Sequence, residues 1–200
     1  GTTHVYAGRP MIWDIGAIAA SGRAEALDLI RRVLLASAAV PVLLPPVYFD
    51  VVADGRRYQE MHVDGGITRE AFIGPPDLDW DAAAQALGTG HRVEFYVIRN
   101  GRVSGEYMIM EPRTVPLGQH AMLQLTQSLG VGDLYRIYVR AQREQANYHA
   151  AWIGSDFDAP WEDWDDPRYI HALFEYGHAQ AANGQVWHSE PPGVSPASQR

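Results

Sequence analysis

The chain has 200 residues, 46% of them hydrophobic, and 24 acidic against 16 basic side chains give a net charge of −8. This suits one domain or a large part of one, and the negative balance argues against a nucleic-acid partner, which requires a basic patch. The absence of cysteine excludes disulfides and thiolate metal sites, and no apolar run approaches the ~20 residues of a membrane-spanning helix.

Taken in chain order, Gly1-Thr2-Thr3-His4 lacks an initiator Met and the pattern of a signal peptide. Any targeting segment is therefore expected upstream, in a longer protein. Thr2 to Tyr6 is rich in β-branched and aromatic residues and reads as a strand that Arg9-Pro10 ends. Met11 to Asp14 reads as a second short strand, and Ile15 to Ser21 fits either a strand or a buried helix. The clearest helix is Ala24 to Ala38: Leu27, Ile30, Leu34 and Ala38 recur at helical spacing, as do Val33 and Ser37, with Arg31 and Arg32 on the opposite side. Pro41 ends it, and Val42-Leu43-Leu44-Pro45-Pro46 is a tight apolar crossing. Tyr48 to Val52 and Arg57 to Val63 form a hairpin about an Asp54-Gly55 turn.

Pro75-Pro76 marks a loop, followed by a helix over Asp81 to Leu87. Arg92 to Arg99 alternates as a strand, and Gly101 to Met110 extends it as a second hairpin. Leu117 to Gln145 is helical, with an interruption around Gly130 and Gly132. Tyr148 to Ile153 is a last strand, Pro167 to Asn183 a terminal helix, and Pro191 to Arg200 a disordered tail. Alternating strands and helices favour an α/β class.

The candidate functional residue is Asp64, in Asp64-Gly65-Gly66 at the end of the strand before it. A carboxylate at a strand end faces the rim of a sheet, where α/β proteins place their sites. The two glycines permit positive φ and close approach of other backbone.

Four features come in order: Ser37-Ala38-Ala39-Val40-Pro41 closing a helix, the Pro45-Pro46 pair, the Asp54-Gly55 hairpin, and Asp64-Gly65-Gly66. Together they resemble the aspartate-bearing half of the patatin-like lipid acyl hydrolases. The likeness is specific over the first third of the chain. The segment from Gly1-Thr2-Thr3 through Met11-Ile12-Trp13-Asp14 and the ending Tyr169 to Gly193 also look like parts of bacterial members. The chain departs from the family where an Asn and a Pro often follow the turn: here Glu70 and Phe72 stand.

The resemblance implies a three-layer α/β/α sandwich, present in part and lacking its N-terminal nucleophile half. Residues 1–76 would belong to the catalytic domain, 77–190 to an α/β extension packed on it, and 191–200 to the tail. It also implies a Ser-Asp dyad that cleaves lipid or phospholipid esters, with Asp64 as general base. The serine would sit in a Gly-x-Ser-x-Gly elbow beside a Gly-rich oxyanion loop. None of Ser21, Ser37, Ser104, Ser128, Ser155, Ser189, Ser195 and Ser198 has glycine at both second neighbours. The elbow is therefore expected before Gly1, in the N-terminal half of the same protein. The implied partners are that half, a lipid ester or phospholipid, and a membrane surface met peripherally. No cofactor or metal is expected. A noncatalytic patatin-like scaffold is the alternative.

Other residues offer weaker readings. His62 and Asp64 share a strand face and form a potential metal pair, with a third ligand to come from His91, His120 or elsewhere, but no spacing selects one. A structural or surface His62 is preferred. A histidine base from His4, His62 or His120 fits the family poorly. Trp152, Trp161 and Trp164 among Asp156, Asp158, Glu162, Asp163, Asp165 and Asp166 read as a loop anchored by aromatics in preference to a lipid-facing lid, since the acids would be repelled by anionic headgroups. Leu117 to Leu134, with Met122, Leu125 and Leu129, reads as core in preference to an acyl-chain groove. Ser37 is assigned to packing. If Thr2 to Tyr6 belongs to mid-sheet, lost neighbours would expose a strand edge beside it and make the isolated chain prone to aggregate.

Overall fold

A computed structural model of the chain describes residues 1–75, 78–89, 93–105, 107, 109–160 and 165–194. It is mixed α/β with small sheets. Two compact units divide it: Gly1–Glu70 with Gly118–Met122, and Ala71–Leu117 with Leu123–Arg200.

The first unit contains β1 (Thr2–His4), β2 (Arg9–Met11), α1 (Ile15–Ala20), α2 (Ala26–Ser37), β3 (Val47–Ala53) and β4 (Arg56–Asp64). The strands form one antiparallel sheet in the order β2-β1-β4-β3. Asp54 and Gly55, at φ 49° and 72°, make the two-residue turn between β3 and β4. That pair of left-handed conformations matches the strand twist, which is why Asp-Gly forecast the hairpin.

The chain start differs from its sequence reading. β1 stops at His4, Gly8 turns the chain at φ 60°, and Arg9–Met11 returns antiparallel to β1. Arg9-Pro10 thus opens a strand where it was expected to end one. Pro10 is tolerated because β2 is an edge strand with a side that donates to no neighbour. β1 lies between β2 and β4, so the exposed edge expected beside it is not present. Asp14 ends no strand; its carboxylate accepts from Ala17 N–H and caps α1, which settles Ile15 onward as helix.

Helix α2 buries its apolar side on the flank that holds Val33, and leaves much of the leucine stripe exposed. Val33 and Ala36 are buried against Phe49, with Trp13, Ile15, Leu29, Val47 and Val51 packed around them. Leu27, Leu34 and Leu35 are 57%, 61% and 59% exposed. Arg32 sits across the Phe49 ring, its guanidinium 5.1 Å from the ring centre, and donates to the Tyr48 carbonyl. The long arginine stem covers apolar sheet as well as a leucine would. Counting Arg32 as outward therefore misplaces it, whereas Arg31 is exposed as expected.

The second unit contains α3 (Trp80–Ala86), β5 (Glu94–Arg102), α4 (Thr114–Arg143) apart from its residues Gly118–Met122, β6 (Asn147–Ile153) and α5 (Pro167–Ala182). β5 and β6 pair in parallel. A parallel pair needs a crossover, and α4 supplies it. The hairpin expected over Gly101 to Met110 is replaced by this β-α-β unit, with Glu106 and Met108 outside the described residues. The pair closes on Phe95, Val97, Leu134, Ile137, Ala141, Ala146, Tyr148 and Ala150. Fully burying each of the larger aliphatic and aromatic side chains contributes roughly 1.5–3 kcal/mol.

Helix α4 runs without a break through Gly130 and Gly132. The expected interruption does not occur because Gly130 lies on the buried stripe with Asp133, Leu134, Ile137 and Ala141. Burial along that stripe offsets the ~1 kcal/mol that each glycine costs a helix. N-terminal to it, Leu117 and Leu125 are 55% and 71% exposed, so the core expected for this stretch begins only at Gly130. α5 starts at Pro167, the residue expected, and is capped by Asp166 with the proline in its first turn. The expected tail starts in a packed segment: Pro191 is fully buried and the Tyr135 hydroxyl donates to the Pro192 carbonyl. Residues 195–200 lie outside the described residues.

Candidate active site and a buried histidine cluster

Asp64 is the last residue of β4, directly opposite Thr2 in β1. Its backbone N–H donates to the Ala39 carbonyl at 3.0 Å. The end of β4 is therefore tied to the Ser37-Ala38-Ala39-Val40-Pro41 segment that leaves α2. The Asp64 side chain is half-buried. Its Oδ1 accepts from Gly66 N–H at 2.7 Å and caps a single 3-10 turn, Gly65–Ile67. Oδ2 has no hydrogen-bond partner among the described residues.

The glycines of the motif act by space. Neither has positive φ, contrary to the first of the two roles expected for them. A Cβ on Gly65 would lie 2.9 Å from the Gly1 carbonyl oxygen, and one on Gly66 3.1 Å from Asp64 Oδ1. Gly65 lets the chain start pass against the turn; Gly66 leaves room for the capping carboxylate.

On the same strand face, two residues before Asp64, lies His62, with no exposure at all. Phe49, Trp13 and His4 surround its ring, with centres at 5.0, 5.7 and 5.0 Å. Sequence-based preference for a structural or surface histidine resolves to the buried form. The ring belongs to a line of hydrogen bonds. Trp13 Nε1–H donates to Thr2 Oγ1 at 2.8 Å. That hydroxyl is also hydrogen-bonded to His62 Nδ1, 2.8 Å away, and His62 Nε2 lies 3.3 Å from Glu60 Oε2. At the other end, Ala7 N–H donates to His4 Nδ1 at 3.2 Å, so the His4 proton sits on Nε2, 3.4 Å from Glu60 Oε1. One carboxylate thus stands between two imidazoles. Burial is the main reason that the His62 pKa lies below its ordinary value; neighbouring His4 adds to this, and Glu60 opposes it.

The metal pair considered from sequence was His62 with Asp64. The groups that gather instead are His4, Glu60 and His62, whose ligand atoms all lie within 4.8 Å of one another. Glu60 was missed, although its spacing of two from His62 in a strand places both on one face. His4 comes opposite His62 only through the register of β1 on β4. His91 lies outside the described residues, and His120 is half-buried within α4.

The remaining candidates have structural surroundings. Ser37 is the half-buried last residue of α2. Trp152 stacks on His188 with ring centres 4.0 Å apart. Asp166 caps α5, and hydrogen bonding from Arg168 holds its carboxyl below the usual range. Trp161, Glu162, Asp163 and Trp164 lie outside the described residues. No family model, curated protein or solved structure matches the chain.

Proposed function

We propose that these residues are the aspartate-bearing part of a patatin-like serine acyl hydrolase, with Asp64 as general base. The observation that carries the reading is the hydrogen bond from Asp64 N–H to the Ala39 carbonyl. It joins the two most specific parts of the sequence resemblance, the Ser-Ala-Ala-Val-Pro segment and the Asp-Gly-Gly turn, at a single point. The orientation of Asp64 adds support. The Gly66 N–H holds one carboxylate oxygen, which leaves the other for a proton.

In this reading the nucleophilic serine and the oxyanion loop come from an N-terminal half of the same polypeptide, which completes a three-layer α/β/α sandwich. Asp64 takes the serine proton as the serine oxygen attacks the ester carbonyl of a lipid or phospholipid. It returns that proton to the departing alcohol, then accepts one from the water that releases the fatty acid. Lipid esters reach such a site from a membrane surface met peripherally.

Asp64→Asn tests the role cleanly, because the amide oxygen still accepts from Gly66 N–H. In the complete polypeptide it is expected to lower p-nitrophenyl ester hydrolysis at least 100-fold with an unchanged melting temperature, in keeping with loss of a general base. Unchanged turnover refutes the assignment. A second reading, a noncatalytic scaffold of the same family, is favoured by the capping role of Asp64 in the Gly65–Ile67 turn. Absence of fluorophosphonate labelling in the complete polypeptide would select it.

A further inference from the structure

We propose that His4, Glu60 and His62 bind a divalent transition-metal ion of the zinc class, in a site that fastens β1 to β4 beside Asp64. The inference rests on residues separate from the dyad and stands or falls independently of it.

Donor type comes first. Two imidazoles and one carboxylate, with no thiolate, suit Zn²⁺, Co²⁺ and their neighbours better than Mg²⁺ or Ca²⁺, which prefer all-oxygen shells. Spacing comes next. Charge-assisted N–H···O bonds favour about 2.7–2.9 Å, but the two Nε2 atoms lie 3.4 and 3.3 Å from the Glu60 oxygens. Bonds of about 2.1 Å to a tetrahedral ion set neighbouring ligand atoms about 3.4 Å apart. Each separation is close to one edge of such a tetrahedron and long for a direct hydrogen bond. The two end on different oxygens of Glu60, and one ligand atom from each of the three residues lies within 4.8 Å of the others, so a small side-chain turn of Glu60 brings one oxygen to both rings. Rigidity comes third. His62 is unexposed and His4 nearly so, and both are held in paired strands, while the Glu60 side chain is 29% exposed. The cluster is thus reached from the Glu60 side, where water supplies a fourth ligand.

An imidazole that binds the ion through Nε2 carries its proton on Nδ1, so binding needs no net proton release. For His62 that proton is accepted by Thr2 Oγ1, 2.8 Å away, which also accepts from Trp13 Nε1–H and turns its own proton off the ring. His4 carries its proton on Nδ1 and gives up the 3.2 Å bond from Ala7 N–H. That bond belongs to the exposed turn at residues 5–8, which can move aside. Strand rise places the ion about 7 Å along β4 from Asp64. It would therefore hold the aspartate's strand in place and take no part in ester chemistry.

The experiment uses chelator-treated complete polypeptide titrated with Co²⁺ and then Zn²⁺. One equivalent of Co²⁺ is expected to give the visible absorption of a tetrahedral site and to quench Trp13, whose ring centre is 5.7 Å from that of His62. Zn²⁺ should displace it. Glu60→Gln and His4→Gln are each expected to weaken binding at least 10-fold, whereas His178→Gln leaves it unchanged. Absence of stoichiometric binding, or full affinity in both ligand variants, overturns the proposal. If circular dichroism shows that one variant is unfolded, the other decides. Ester hydrolysis is not read, so failure of the dyad and failure of the metal site give separate results.

Discussion

The two units bury opposite kinds of centre. In the first, the large side chains withdrawn completely from solvent include Thr2 and His62, and the chain Trp13–Thr2–His62–Glu60–His4 runs through them. In the second, Leu134 is 1% exposed among Phe95, Val97, Ile137 and Tyr148, and the buried Asp133 is tied to Ala71 N–H and Arg136. An apolar centre is non-directional and scales with area and fit. A polar centre depends on every donor meeting an acceptor, because an orphaned buried group keeps its full desolvation cost. The two units should therefore fail in different ways when perturbed.

The largest effect is expected in the apolar centre. Leu134→Ala should cost about 3 kcal/mol through lost transfer energy and the cavity left behind, read as a lower urea midpoint. A loss below about 1 kcal/mol would mean that the core collapses to fill the space. Next come two isosteric swaps in opposite directions. Thr2→Val keeps volume but strands Trp13 Nε1–H and His62 Nδ1, and should cost about 2–3 kcal/mol. Val97→Thr puts a hydroxyl into the apolar centre and should cost about 1–2 kcal/mol. If Thr2→Val proves neutral, the hydrogen-bond line contributes nothing and the contrast between the units fails.

Smaller effects sharpen the picture near Asp64. Gly65→Ala should cost about 1–2 kcal/mol, an overpacking penalty, because its Cβ meets the Gly1 carbonyl at 2.9 Å. Equal stability of that variant would show that the chain start moves freely. The smallest effect is a titration. Burial lowers the folded pKa of His62 below 6.5, so the unfolded chain binds that proton more tightly. The stability contribution is complete above about pH 6.5 and is lost as pH falls from there through the folded value. In metal-free protein, the NMR midpoint of the His62 ring should lie below 6.5; a midpoint at or above it would mean that Glu60 outweighs burial.

Local signals were legible in the sequence. Asp54-Gly55 announced its hairpin, because few residue pairs accept two left-handed conformations in succession. The terminal helix expected over Pro167 to Asn183 is α5, Pro167–Ala182. The Ala24 to Ala38 stretch announced a helix whose observed span is Ala26–Ser37. Asp64 was singled out from its motif, and the bond to Ala39 gives that choice a physical context. What depended on distant partners was not legible. The buried side of α2 was read only in part: Val33 is buried as its spacing suggested, but Arg32 covers Phe49 where it was expected to face outward. The hairpin drawn for β5 was misplaced because parallel pairing with β6 leaves no signal at a turn.

By itself, then, the amino-acid sequence determined an α/β chain without cysteine, its main turns and caps, and Asp64 as the residue to test. Those features follow from backbone preferences and hydrogen bonds within a few residues. Tertiary structure decided which polar groups share a centre. Glu60 and His62 meet His4 only because β1 pairs with β4 in a register that sets Thr2 opposite Asp64. A shift of one residue would turn alternate side chains to the other face, and no local signal in either strand specifies that alignment.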